Sequence, residues 1–144
     1  MSPARQLLIV DDDPDYIAPI RAILESAGYA VDIALNPRDG FEMLRTKSYD
    51  LLLLDIMMGR GAEGVMFARK MRKDPVLREV PTLIITGLRE QIAFLFPGEP
   101  VHPHLLPVDE LMEKPVDPKL LLEKVATLLE TAAKRRAGAA SERA

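Results

Sequence analysis

Four short apolar runs in this 144-residue chain each lead into a residue suited to phosphoryl transfer. Asp11 and Asp12 follow LLIV, Asp55 follows LLLL, Thr86 follows LII, and Lys114 lies just past LM. If these runs are parallel strands of one sheet, their carboxyl ends share an edge, where open α/β sheets bind ligands. Carboxylates crowded at such an edge repel unless a cation neutralises them, and hard oxygen donors suit Mg²⁺. Beside that ion a carboxylate can attack phosphorus to give an aspartyl phosphate, whose oxygens need positive or hydrogen-bonding partners. The Lys114 ammonium and the Thr86 hydroxyl are groups of those two kinds. Taken singly, each residue has a plainer reading. An acidic triplet such as Asp11 to Asp13 is more often loop and cap, and polar residues commonly end strands. Only the convergence carries chemistry.

Positioning those residues requires the right elements. Leu7–Val10, Leu51–Leu54 and Leu83–Ile85 are continuously apolar, the pattern of central strands covered on both faces. Ala30–Leu35 alternates and suits an edge. Asp13-Pro14, Asn36-Pro37 and Asp117-Pro118 each place a capping side chain before a proline, so three helices are predicted to start there. Ile17, Ile20, Leu24 and Ala27 form a helical stripe ended by Gly28, and Leu121, Leu122, Val125, Leu128 and Leu129 form another. Pro19 is awkward inside the first helix, whose start could lie later than Pro14. A further helix is predicted from about Ala62 to Lys73, with Val65, Ala68 and Met71 inward, stopping before Pro75. Alternating strands and helices imply right-handed parallel crossovers, hence an α/β, doubly wound, five-stranded parallel sheet with helices on both faces. Between Leu88 and Val108 four prolines leave room for about two helical turns, near Glu90–Phe96, and the rest is expected to be ordered loop or lid. Residues 1–136 are expected to form one domain, and Ala137–Ala144, lacking an apolar stripe, a frayed and disordered tail.

Composition removes several function classes. The 19 basic and 22 acidic residues leave a net charge of −3, with no general attraction to nucleic acid or anionic membrane. The absence of cysteine excludes disulfides, thiolate metal sites and cysteine nucleophiles. No apolar run approaches a membrane span or a signal sequence, so a cytoplasmic location is expected. His102 and His104 are too few for a zinc site and read as loop residues. Lys134, Arg135 and Arg136 suit the end of a helix dipole better than nucleic acid. Phe94–Phe96 fits either a small hydrophobic anchor or a docking surface for a partner helix.

The motifs LLIVDDDP, YDLLLLDIMM, PTLIITG and MEKPVDP, in that order over roughly residues 6 to 132, resemble the response-regulator receiver domains of two-component signalling. The resemblance implies a flavodoxin-like strand order 2-1-3-4-5 and a cis peptide at Lys114-Pro115. It implies Asp55 as phosphoacceptor, Asp11 and Asp12 as the acidic pair holding Mg²⁺, Met57 as a backbone-carbonyl ligand to the metal, and Thr86 and Lys114 as sensors of the phosphoryl group. Partners implied are a histidine kinase or phosphotransfer protein and an unknown downstream protein.

Departures from the family pattern concern readout more than chemistry. Gly59 stands where receivers usually carry proline, Gly64 arrives one position late, and Leu111 replaces the usual aromatic switch residue. The stretch from Thr86 to Lys114 is long and proline-rich. Phosphorylation is therefore expected to reorganise residues 88–108 instead of rotating an aromatic ring. Met57 and Leu88 cannot orient a water molecule by hydrogen bonding, so slow hydrolysis of the acyl phosphate is expected. The leading expectation is a stand-alone switch, not a conventional enzyme, with output through another protein or a phosphorylation-dependent homodimer. Its rivals are a non-phosphorylated scaffold that binds a partner through residues 88–116, and a Mg²⁺-dependent phosphohydrolase with an aspartyl nucleophile. The phosphohydrolase is disfavoured by Met57, which stands where a second Asp would be needed.

Overall fold

Three strands built from leucine, isoleucine and valine bury both of their faces, and the rest of the architecture follows from covering them. The computed structural model describes residues 4–56, 63–86 and 110–143. In chain order the elements are β1 (Gln6–Val10), α1 (Pro14–Ser26), β2 (Ala30–Ala34), α2 (Pro37–Thr46), β3 (Leu51–Asp55), α3 (Glu63–Lys73), a 3-10 turn (Leu77–Glu79), β4 (Thr82–Thr86), β5 (Glu110–Glu113) and α4 (Pro118–Arg143). The strands form one sheet in the order β2-β1-β3-β4-β5, with every pair parallel. This is the predicted doubly wound topology, with β2 at one edge as its alternation required.

Side chains alternate across a strand, and the core divides accordingly. Leu7, Ile9, Leu51, Leu53, Leu83 and Ile85 pack with Ile17, Ile20 and Leu24 of α1 and with Leu121, Val125 and Leu129 of α4. Their neighbours Leu8, Val10, Leu52, Leu54 and Ile84 face the other way, onto Leu44 of α2 and Val65, Phe67, Ala68 and Met71 of α3. Pairing Val10 with Ala34 and Leu54, and Leu54 with Ile84, brings the strands' carboxyl ends level.

The three predicted helix starts are observed. Asp13 caps α1, its Oδ1 accepting from the Asp15 and Tyr16 N–H groups at 3.0 and 3.4 Å. Asn36 caps α2 through Asp39, and Asp117 accepts from Lys119 ahead of α4. Helix α1 does begin at Pro14. Pro19 is tolerated because it lies on the exposed face, where water can reach the carbonyl it leaves unpaired. The helix closes with the Tyr29 N–H on the Leu24 carbonyl and the Gly28 N–H on Glu25, with Gly28 at φ 95°. That left-handed position is what glycine provides.

Helix α4 continues to Arg143, beyond Ala137 where fraying is predicted. Alanine, lysine and arginine favour helical backbone even without an apolar stripe, and Ala137 and Gly138 are exposed, as the missing stripe implies. Among the described residues no helix is long and apolar enough to cross a membrane. The expectations for Met57, Gly59, Leu88, the 88–108 segment with its Glu90–Phe96 helix, and His102 and His104 fall outside the described residues.

A polar cluster ties β2 to the segment after α2. Asp32 Oδ2 accepts from Lys47 Nζ at 2.8 Å and from the Tyr49 hydroxyl at 2.6 Å. The Lys47 and Tyr49 hydrogen bonds hold the Asp32 carboxyl below the usual carboxylate range, while burial and the Asp32 charge push the Tyr49 phenol up. A carboxylate with a depressed folded-state pKa adds stability above its unfolded pKa and loses it as pH falls through the folded value. Wild type is therefore expected to exceed Asp32→Asn in stability near neutrality, with the gap closing below about pH 4 as the carboxylate is protonated. Urea melts of both proteins at neutral and acid pH check this.

Candidate functional site

Each site residue hangs from the carboxyl end of a strand. Asp11 directly follows β1, and its N–H donates to the Ala34 carbonyl at 3.1 Å, extending the ladder by one residue. Its side chain turns inward and is 4% exposed, with Oδ1 accepting from the Asp13 N–H at 3.0 Å. Asp55 ends β3 and is 6% exposed, whereas Asp12 between them is open to solvent. One carboxylate oxygen from each of Asp11, Asp12 and Asp55 lies within 4.8 Å of the others. Three hard donors so placed can share one small divalent cation that keeps part of its water shell.

The opposite side of the site comes from β4 and β5. Thr86 ends β4 fully buried, and its hydroxyl oxygen has no hydrogen-bond partner among the described residues. A buried hydroxyl in that condition suits an oxygen ligand, because leaving it unpaired costs free energy. Lys114 follows β5, its N–H donating to the Thr86 carbonyl at 2.7 Å, and the Lys114-Pro115 peptide is cis. Its ammonium reaches back over the edge to stand 3.7 Å from Asp55 Oδ2 and 3.8 Å from Asp11 Oδ2.

The electrostatics of the site follow from this crowding. Burial pushes the Asp11 carboxyl up to about 6; the Asp55 charge and a hydrogen bond between the two side chains add to this. The Asp13 N–H and the Lys114 ammonium oppose it. A site that resists holding its own negative charge is one that a cation or a bound proton relieves.

The structure thus brings together the Asp11, Asp12 and Asp55 carboxylates and the Lys114 ammonium, with Thr86 at the adjoining end of β4. Met57 lies outside the described residues. Leu111 is half-buried and packs against the cluster that contains Leu8 and Ile84. Two residues to which the sequence analysis gave no part in the site belong beside it. The Tyr16 ring lies beneath the Lys114 ammonium at 4.0 Å, and Gly64, in the first turn of α3, lies against the main chain of Asp55 and Ile56. The signal for Tyr16 was its place one turn after the Asp13 cap, and for Gly64 a glycine inside an otherwise good helix.

The sequence profile of the response regulator receiver domain matches residues 7–126. This chain belongs to that family. Receivers are the phosphoacceptor domains of two-component signalling, and the fold here is theirs. The chain is 30% identical over 124 residues to the protein PilH of Pseudomonas aeruginosa, covering 86% of this chain and 97% of PilH. It is 30% identical over 120 residues to the transcriptional regulatory protein DltR of Streptococcus agalactiae, covering 83% of this chain. It spans only 50% of DltR and 51% of the response regulator Rre1 of Synechocystis, about half the length of those relatives. Among solved structures, the CheY-like receiver domain protein of Methanospirillum hungatei superimposes with a TM-score of 0.76 at 28% identity, covering 92% of this chain and 98% of that one.

Proposed function

We propose that this receiver accepts a phosphoryl group on Asp55 from a phosphohistidine of a histidine kinase or phosphotransfer protein, with Mg²⁺ held by Asp11, Asp12 and Asp55. The observation that carries this reading is the Lys114 ammonium 3.7 Å from Asp55, with the Thr86 hydroxyl, buried and without a hydrogen-bond partner among the described residues, at the adjoining end of β4. In the transfer, an Asp55 carboxylate oxygen forms a bond to phosphorus as the phosphorus–nitrogen bond of the donor breaks, and the leaving imidazole keeps the electron pair and takes a proton. The metal, when bound, neutralises charge shared between the carboxylates and the phosphoryl oxygens. Lys114 and Thr86 supply an ammonium and a hydroxyl hydrogen bond to the remaining oxygens. Because the phosphoryl group replaces one carboxylate contact of Lys114 with a more strongly charged one, the lysine and the strand end bearing Thr86 are drawn together. Changed contacts with a downstream protein or a second copy of the chain then form the output. A cytoplasmic setting fits such a phosphoryl donor.

The test is incubation with acetyl phosphate. The intact protein is expected to gain the mass of one phosphoryl group when Mg²⁺ is present, and to gain none when the metal is chelated. A protein that stays unlabelled in both conditions would refute the reading.

A further inference from the structure

The Lys114 ammonium lies 3.7 and 3.8 Å from its two carboxylate neighbours, about 1 Å longer than a direct charge-assisted hydrogen bond. A flexible lysine with two buried anions in reach would be expected to close on one of them. Among the described residues the ammonium also faces the Tyr16 ring, with Nζ 4.0 Å from the centroid, well inside the range of a cation–π contact. The main chain that carries the ring is anchored. The Tyr16 N–H is bonded to the Asp13 carbonyl and to Asp13 Oδ1, at 3.2 and 3.4 Å, and the side chain packs against the cluster that holds Ile17 and Leu121. Asp13 in turn donates its N–H to Asp11. One short stretch of chain therefore positions both the acidic pair and the aromatic face opposite the ammonium.

We infer that Tyr16 is a positioning residue for phosphoryl transfer: its ring face holds Lys114 back from direct hydrogen bonds to Asp11 and Asp55, limiting its competition with a cation there while keeping the ammonium within reach of the incoming phosphoryl group. This rests on the reading of Asp55 as the acceptor. Without the ring, the ammonium closes on the carboxylates and competes directly with Mg²⁺. The ring face is the operative part and the hydroxyl is not.

The experiment compares Tyr16→Phe, which keeps a ring, with Tyr16→Leu, which keeps apolar bulk, by Mg²⁺ titration and by acetyl phosphate labelling. Tyr16→Phe is expected within about twofold of wild type in Mg²⁺ affinity, and Tyr16→Leu to bind the ion roughly three- to thirty-fold more weakly. Labelling of Tyr16→Leu slows to match at low Mg²⁺ and recovers as the ion saturates. In a Lys114→Ala background there is no ammonium to restrain, so Tyr16→Leu is expected to leave Mg²⁺ affinity unchanged. The inference is overturned if Tyr16→Leu binds Mg²⁺ as wild type does, or if its defect is the same with and without Lys114, which would make the ring mere filler. Failure of the wild-type protein to label would defeat the acceptor reading and with it a role in phosphoryl transfer, and is told apart from failure of the Tyr16–Lys114 restraint because the Mg²⁺ titrations need no phosphoryl transfer.

Discussion

Asp55→Asn is expected to abolish phosphoryl acceptance and, at the same time, to raise the melting temperature of the metal-free protein. The loss follows from removing the attacking oxygen, since an amide is no nucleophile towards phosphorus and Asp11 and Asp12 come from a different strand end. The gain follows from electrostatics. Asp55 is 6% exposed and sits beside Asp11, whose carboxyl is pushed up to about 6 by burial and, in part, by the Asp55 charge. An asparagine of nearly the same shape removes one buried charge and one repulsion, and Lys114 keeps Asp11 as a partner at 3.8 Å. The forfeited attraction to Lys114 offsets part of the benefit, leaving a net gain of roughly 1 kcal/mol, about 2–4 °C in a domain of this size. Intact-mass labelling and thermal melts without divalent ions read the two effects separately. A variant that melts lower than wild type would mean that the lysine's attraction outweighs the repulsion between the carboxylates.

Gly64→Val is expected to destabilise the fold strongly. A Cβ at Gly64 would lie 2.5 Å from the Ile56 Cα and 2.6 Å from the carbonyl oxygens of both Asp55 and Ile56. These are main-chain atoms of the segment that carries the acceptor, so no side chain can swing aside to make room. Either α3 backs away from the sheet, opening the layer formed by Val65, Phe67 and Ala68, or the end of β3 moves. Overpacking of this kind costs about 3 kcal/mol, and thermal melts are expected to show a drop of roughly 6–12 °C. Gly28→Ala provides the contrast. Gly28 has open space around its Cβ position but a φ of 95°, so its cost is confined to backbone conformation, about 1 kcal/mol. If both variants melted alike, close approach would not be what keeps glycine at position 64.

Both variants bear on how far the site could be read from sequence. The places of Asp11, Asp55 and Thr86 were legible because each interrupts or follows an apolar run with the pattern of a covered strand, and parallel strands put such interruptions on one edge. The helix starts at Pro14, Pro37 and Pro118 were legible because capping depends on neighbours in sequence. What escaped depends on how separate elements pack. The contact between Tyr16 and Lys114 is set by the rotation of α1 against the far end of β5, and that between Gly64 and Ile56 by the distance of α3 from the sheet. The bonds from Asp32 to Lys47 and Tyr49 join a strand to the residues after the next helix, and no local pattern announces them.

The division of the core into two clusters has a mechanical corollary. Leu51 to Leu54 are at most 1% exposed and point alternately into one half-core and the other, so β3 is clamped from above and below. Close-packed interiors yield little to local strain. Asp55 is therefore the fixed jaw of the candidate site, and under the proposed phosphoryl transfer the motion would fall to Lys114, which reaches it from the sheet's outermost rung.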